Sequence, residues 1–161
     1  MGIYEYAMQM ELEGKAWYEE RAARTQHPGL RKILQAMAED ESKHYDVFKA
    51  MSENQQAPAV EKSAVLEQAS SFFEHLSEAG APEFDATEIT LWEELRAHEE
   101  KAEQFYREKA ETAASAAEKA ALIEIADEEH RHAVLIDNMI DFLRQPDIWL
   151  ENAEWRHMDA Y

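Results

Sequence analysis

Leu122-Ile-Glu-Ile-Ala-Asp-Glu-Glu-His-Arg-His132 repeats, at an offset of 88 residues, the layout of Leu34-Gln-Ala-Met-Ala-Glu-Asp-Glu-Ser-Lys-His44. Leu34 answers to Leu122, Ala38 to Ala126, Glu41 to Glu129 and His44 to His132. The same offset links Glu11 to Glu99 and Tyr18 to Tyr106, and it preserves the pairs Trp17/Phe105 and Ala22/Ala110. Each half therefore carries a Glu, a Tyr two helical turns later, and a distant Glu-x-x-His. A duplicated helical hairpin is the economical explanation.

The punctuation between these stretches sets the elements. A first helix is expected from Ile3 to Arg24, stopped by His27-Pro28-Gly29, because Pro and Gly together interrupt helices. A second runs from Leu30 to Ser52, and the short link makes the two an antiparallel hairpin. Residues 53–62 are polar, contain Pro58 and read as a loop. Ser63 to Ser77, with Val65, Leu66, Ala69, Phe72, Phe73 and Leu76, predicts a short extra helix ended by Ala79-Gly80-Ala81-Pro82. Asp85 followed by Glu88 resembles a capping box opening a helix from Thr87 to Thr112. The last main helix runs from Ala116 to Arg144 and stops before Pro146. The tail from Asp147 to Tyr161 carries Trp149, Leu150 and Trp155 and is expected to pack down as a short helix. The expectation is a single all-α domain over residues 1–161. It is a four-helix bundle of two hairpins, 3–54 and 87–144, joined by a long crossover.

Composition agrees. A chain of 161 residues can bury one sizeable core. It has only four Gly and four Pro, and helix formers are plentiful. Sixteen Lys and Arg against 35 Asp and Glu give a net charge of −19. Such a surface repels nucleic acid and anionic membranes and attracts cations. Most of those acids are expected on solvated faces, so acidity alone does not argue for metal. The absence of cysteine excludes disulfides, thiolate zinc sites and iron–sulfur ligation. The first residues lack a basic segment followed by an apolar run, and nothing approaches the roughly 18 apolar residues that span a bilayer. A cytoplasmic protein is the expectation.

Glu-x-x-His alone is a weak signal in this chain. It occurs three times, at Glu41–His44, Glu129–His132 and Glu154–His157, and the third has no partner at the offset and reads as coincidence. The helical wheel discriminates better. Glu11 shares a face with Tyr4, Ala7, Met8, Gly14, Tyr18 and Ala22, while Glu5, Glu13, Glu19 and Glu20 fall elsewhere. Glu41 lies among Leu34, Met37, Ala38, Tyr45 and Phe48, and Glu39 points away. Glu99 lies among Trp92, Leu95, Ala102 and Tyr106, and Glu129 among Leu122, Ile125, Ala126, Ala133, Ile136 and Ile140. Four carboxylates are directed into four apolar stripes.

Unpaired buried carboxylates cost several kcal/mol each or neutralise themselves. Two divalent cations would balance four of them. His44 and His132, one turn from Glu41 and Glu129, can complete the site as neutral nitrogen ligands. Mixed carboxylate and imidazole ligation suits iron or manganese. The alternative is that the acids stay protonated or pair with bases, for which Lys15 and Arg96 border the stripes. That alternative does not account for the shared offset. Tyr18 and Tyr106 are candidate catalytic side chains, as hydroxyl donors orienting a metal carboxylate or as redox-active phenols. The plainer reading is core tyrosine. His130 and Asp127 read as surface residues, His98 borders the site, His75 has no assigned role, and methionines 8, 10, 37 and 51 read as core filling.

With Glu11 and Tyr18, Glu41-Ser-Lys-His44, Glu99 and Tyr106, and Glu129-His-Arg-His132, the chain resembles the ferritin-like di-iron superfamily, and within it the rubrerythrin group. The resemblance covers the four main helices. It implies a ferritin-like bundle, often a dimer, with Glu11 and Glu99 as mainly terminal metal carboxylates. Glu41 and Glu129 would bridge two iron ions, and His44 and His132 would bind one each. It also implies a di-iron oxidoreductase acting on hydrogen peroxide or O2. Two departures stand out. Rubrerythrins proper add a rubredoxin-like domain with four cysteines, absent here, so electrons are expected from an external donor protein. They also carry a glutamate three residues after the third-helix ligand, where this chain has Ala102, with Glu103 next to it as a partial substitute. Iron binding, ferroxidase activity or storage without peroxidase turnover is the alternative, and a homodimer is expected.

Overall fold

The computed structural model describes residues 1–79 and 86–145. The tail helix expected after Asp147, the stop at Gly80 to Pro82, the Asp85 cap and the Glu154–His157 pair lie outside the described residues. Within them there are five helices and no strand: α1 (Ile3–Arg24), α2 (Pro28–Ser52), α3 (Val65–Ala79), α4 (Ala86–Glu111) and α5 (Ala116–Arg144). The expected boundaries of α1 and α5 hold, and those of α2, α3 and α4 differ by one or two residues. The difference at α2 has a local cause. Pro28 occupies the first helical position, where its missing N–H costs nothing and its fixed φ suits a helix. It opens α2 as well as ending α1.

Local hydrogen bonds fix the turns. Arg31 reaches back to the carbonyls of Ala22 and Thr25 at 3.2 and 2.9 Å, satisfying acceptors that the end of α1 leaves free. Ser115 caps α5 by accepting from the Glu118 N–H at 3.1 Å. Ser63 accepts from the Val65 N–H at 3.1 Å at the start of α3 and donates to Asp40, which ties the crossover to α2.

Helix α1 packs on α2 and α4 on α5, while contacts between the two hairpins are wider; α3 lies along α2. Phe72 and Phe73 of α3 meet Phe142 of α5 edge-on, with ring centroids 5.9 and 5.2 Å apart. Gly29 makes room for α3, since a Cβ there would stand 2.6 Å from the Phe72 ring. The apolar side chains fall into two clusters. One holds Tyr18, Leu30, Leu34, Phe73, Trp92, Leu95 and Ile140 at the α1–α2 turn. The other holds Met10, Phe48, Ala102, Tyr106, Leu122 and Ile125 at the α4–α5 turn. The hairpins therefore run antiparallel to each other, and a polar layer separates two greasy ends. That layer contains the repeated acids. Glu11, Glu41, Glu99 and Glu129 are at most 1% exposed, whereas Glu5, Glu13, Glu19, Glu20 and Glu39 are exposed. No helix among the described residues is long and apolar enough to cross a membrane.

Candidate metal centre

Each main helix delivers part of the polar layer. Helix α1 supplies Glu11, α2 supplies Glu41 and His44, α4 supplies Glu99, and α5 supplies Glu129 and His132. Their atoms form two overlapping groups, Glu11–Glu41–His44–Glu129 and Glu41–Glu99–Glu129–His132, each with candidate ligand atoms within 4.8 Å of one another. Glu41 and Glu129 belong to both. His44 Nδ1 lies 2.9 Å from Glu129 and 3.3 Å from Glu11. His132 Nδ1 lies 3.5 Å from Glu99 and from Glu129, and 3.6 Å from Glu41. All six side chains predicted from the sequence converge.

A second ring of contacts holds these groups from outside. His44 Nε2 meets Glu128 at 2.6 Å, and His132 Nε2 meets Asp40 at 2.9 Å. Asp40 and Glu128 are themselves related by the 88-residue offset. Neither stands out in the sequence, because each precedes a core-facing glutamate by one residue, off its apolar stripe, in a chain rich in acids. Tyr18 donates to Glu99 and Tyr106 donates to Glu11, each across to the other hairpin. The repeat also breaks beside the centre on α1 and α4. Met10 and Gly14 of α1 answer to His98 and Ala102 of α4. His98 is 8% exposed, with its ring centroid 5.1 Å from that of Trp17. A Cβ at Gly14 would stand 2.4 Å from Glu41 Oε2 and 2.8 Å from His98 Nε2, so the bare glycine gives both groups their space.

The donor set fits a metal pair. Glu11 Oε2, Glu41 Oε1, Glu99 Oε2, Glu129 Oε2 and His132 Nδ1 are buried without a hydrogen-bond partner, a state that buried polar atoms rarely tolerate. Neither candidate base serves them. Lys15 pairs with Glu19 at 3.7 Å and Arg96 with Asp137 at 2.7 Å, both on the surface. Without a cation the cluster draws in protons. Burial, then the charges of Glu129, Glu99 and Glu11, raises Glu41 well above the carboxylate range. Burial, then Glu11 and Glu99, lifts Glu129 to about 8. Burial pulls His44 and His132 down, but the carboxylates led by Glu129 and by Glu99 prevail, and both end well above an ordinary imidazole. Burial also works against the charge on Glu99, yet His132 and the Tyr18 hydroxyl outweigh it and hold this carboxyl at about 2. Positive charge is what the site lacks.

The family description Rubrerythrin matches residues 3–140. The chain belongs to the rubrerythrin family. No curated protein and no solved structure matches it.

The position three residues after Glu99 on α4 offers no carboxylate to the centre. Ala102 is 2% exposed and packs with the apolar cluster at the α4–α5 turn. Glu103 does not take its place, because its carboxylate is bound to Arg107 at 2.8 Å and to His130 at 3.0 Å near the surface. Asp127 joins the same surface group through Arg107 at 3.0 Å. His130 and Asp127 thus stay out of the centre, and His98 borders it.

Proposed function

We propose that the buried cluster of this rubrerythrin-family chain holds two iron ions, and that the protein is a di-iron oxidoreductase reducing hydrogen peroxide or O2. The observation that carries the reading is the pair of overlapping donor groups, which share Glu41 and Glu129 and each include one histidine. In this reading Glu11, Glu41, His44, Glu99, Glu129 and His132 would hold the metals, with Glu41 and Glu129 common to both donor groups and Nδ1 the histidine atom facing them. When bound, the irons would supply one redox-active centre in each donor group. Asp40 and Glu128 accept from the histidine Nε2–H groups, which fixes the tautomer and leaves Nδ1 free to ligate. Tyr18 and Tyr106 hold the two terminal carboxylates in place. The apolar clusters on either side keep bulk water away. Electrons are assigned to a separate donor protein, since these residues contain no cysteine for a thiolate-bound relay. A homodimer working in the cytoplasm completes the proposal.

Buried Ala102, with Glu103 engaged elsewhere, favours a second reading: iron oxidation or storage without peroxidase turnover. Anaerobic Fe(II) titration followed by parallel stopped-flow mixing with peroxide and O2 separates the two. Peroxide oxidation faster than that of free iron, with repeated turnover once a reductant is added, supports the oxidoreductase. Peroxide oxidation no faster than that of free iron sinks it. A large hollow assembly on size-exclusion chromatography would support storage.

A further inference from the structure

His98 on α4 is 8% exposed, yet among the described residues its ring nitrogens make no hydrogen bond and no ion pair. Buried polar groups are rarely left unmatched. The ring packs 5.1 Å from that of Trp17 on α1, and its Nε2 comes up against the bare backbone of Gly14. Glu41 Oε2 reaches the same spot from α2, since a Cβ at Gly14 would run into both atoms. An imidazole nitrogen and a carboxylate oxygen therefore converge over a residue that has no side chain to part them.

Exposure falls along this line of groups, from 38% at Trp17 through 8% at His98 to 1% at Glu41. The line leads from solvent to a carboxylate common to both donor groups, while His98 itself belongs to neither. The α2–α5 side of the bundle is closed by contrast. There His44 Nε2 meets Glu128 at 2.6 Å, His132 Nε2 meets Asp40 at 2.9 Å, and Ser63 donates to Asp40 from the crossover. On the α1–α4 side Tyr18 and Tyr106 engage Glu99 and Glu11. Gly14 lies between Glu11 and Tyr18 on α1, and the histidine facing it is uncommitted.

We propose that His98 is the entry ligand of the buried centre, an inference that rests on the reading of that centre as a metal pair. Its Nε2 takes up an incoming divalent cation, drawn by the net charge of −19, and hands it to Glu41 across Gly14. An imidazole beside a carboxylate suits a first-row divalent ion such as Fe(II), Mn(II) or Co(II). Lying outside both donor groups, His98 governs how fast the centre fills and leaves unchanged how much it holds.

Stopped-flow uptake of Co(II) by the metal-free full chain, followed by its visible absorption, tests this, with final content read by metal analysis. His98→Leu should slow uptake by about tenfold or more and leave the final content at the parent level. His98→Gln, a second variant without the ring nitrogens, should behave alike, and circular dichroism checks the folding of each. His98→Cys puts back one ligand atom without the ring and should recover most of the rate. A parent chain that takes up no Co(II) overturns the metal-pair reading and this inference with it. Normal uptake by the parent and an equal rate in folded His98→Leu or His98→Gln overturn this inference alone. So does a lower final content in either variant, which would make His98 a resident ligand. Uptake by His98→Cys as slow as by His98→Leu also overturns it, by assigning the effect to lost ring packing.

Discussion

Tyr18 on α1 donates its hydroxyl hydrogen bond to Glu99 on α4, and Tyr106 on α4 returns the same bond to Glu11 on α1. Each hairpin thus holds a buried glutamate of the other. Burial first, then the charge of the carboxylate it touches, raises both phenols well above their ordinary value. They remain protonated, and therefore remain donors, throughout the physiological range.

Removing one of these hydroxyls should loosen one carboxylate without dismantling the bundle. Tyr18→Phe is expected to weaken Fe(II) binding by about 10- to 100-fold, the usual cost of losing a group that orients a metal ligand. Tyr106→Phe should do the same at the opposite end. Anaerobic Fe(II) titration reads both, and unchanged affinity would reduce the tyrosines to core filling.

The overlap of the two donor groups separates two kinds of glutamate. Glu41→Ala or Glu129→Ala should deplete both metals, because each carboxylate belongs to both groups. Glu11→Ala or Glu99→Ala should leave about one metal per chain, with the other position near full occupancy. Metal analysis of the purified variants decides this, and wild-type metal content in Glu41→Ala and Glu129→Ala would defeat the assignment.

Metal-free protein should lose stability as pH rises. Burial, with Glu11 and Glu99, takes Glu129 from 4.5 to about 8, and Glu41 is raised for the same kind of reason. The folded state then binds more protons than the unfolded state between those values, so unfolding becomes easier across that interval. The raised histidines act in the same direction. Their contribution is complete below 6.5 and disappears as pH climbs through the folded value. Glu99, held at about 2, works the opposite way, but only as pH falls below 4.5. The melting temperature of the metal-free protein should therefore be lower at about pH 8 than at about pH 5. Divalent metal should remove that decline, since it takes the place of the protons and binds better as they leave. Thermal melts with and without Mn(II) check it. A metal-free melting temperature that climbs between those pH values would refute the account.

Gly14→Ala is expected to split stability from metal binding. Alanine in a helix interior gains about 0.5–1 kcal/mol over glycine, which offsets part of the strain of the new methyl. The atoms it would meet, Glu41 Oε2 and His98 Nε2, are side-chain ends that can shift. Stability should stay within about 1 kcal/mol of the parent. Fe(II) affinity should nevertheless fall by about tenfold, because the displaced oxygen belongs to a shared ligand. Denaturant unfolding and Fe(II) titration on one preparation make the comparison, and an unaltered affinity would count against the close fit at Gly14.

The six repeated acids and histidines were legible because helix periodicity converts a sequence position into a face. Glu11 and Glu41 fall on apolar stripes, whereas Glu13 and Glu39 do not. The hairpins were legible because Pro28 and the polar stretch after Ser52 interrupt that periodicity. Several relationships lay beyond it. Asp40 and Glu128 sit one residue before Glu41 and Glu129, and only the packing of α2 against α5 brings each to the far histidine's Nε2. Glu103 reads from the sequence as a near neighbour of the missing ligand position, yet its long side chain is drawn outward by Arg107 and His130. Lys15 and Arg96 border the buried stripes on the wheel, and surface acids claim both.

By itself, then, the sequence determined which side chains point inward and that they come as two equivalent sets, since both follow from local helical geometry and the 88-residue repeat. The antiparallel docking of one hairpin on the other decided the rest. It made Glu41 and Glu129 shared, sent Tyr18 to Glu99 and Tyr106 to Glu11, and placed His98 and Gly14 on one side of the centre. Those are contacts between residues distant in the chain, and their partners are selected by packing and by the cost of leaving buried charge unmatched.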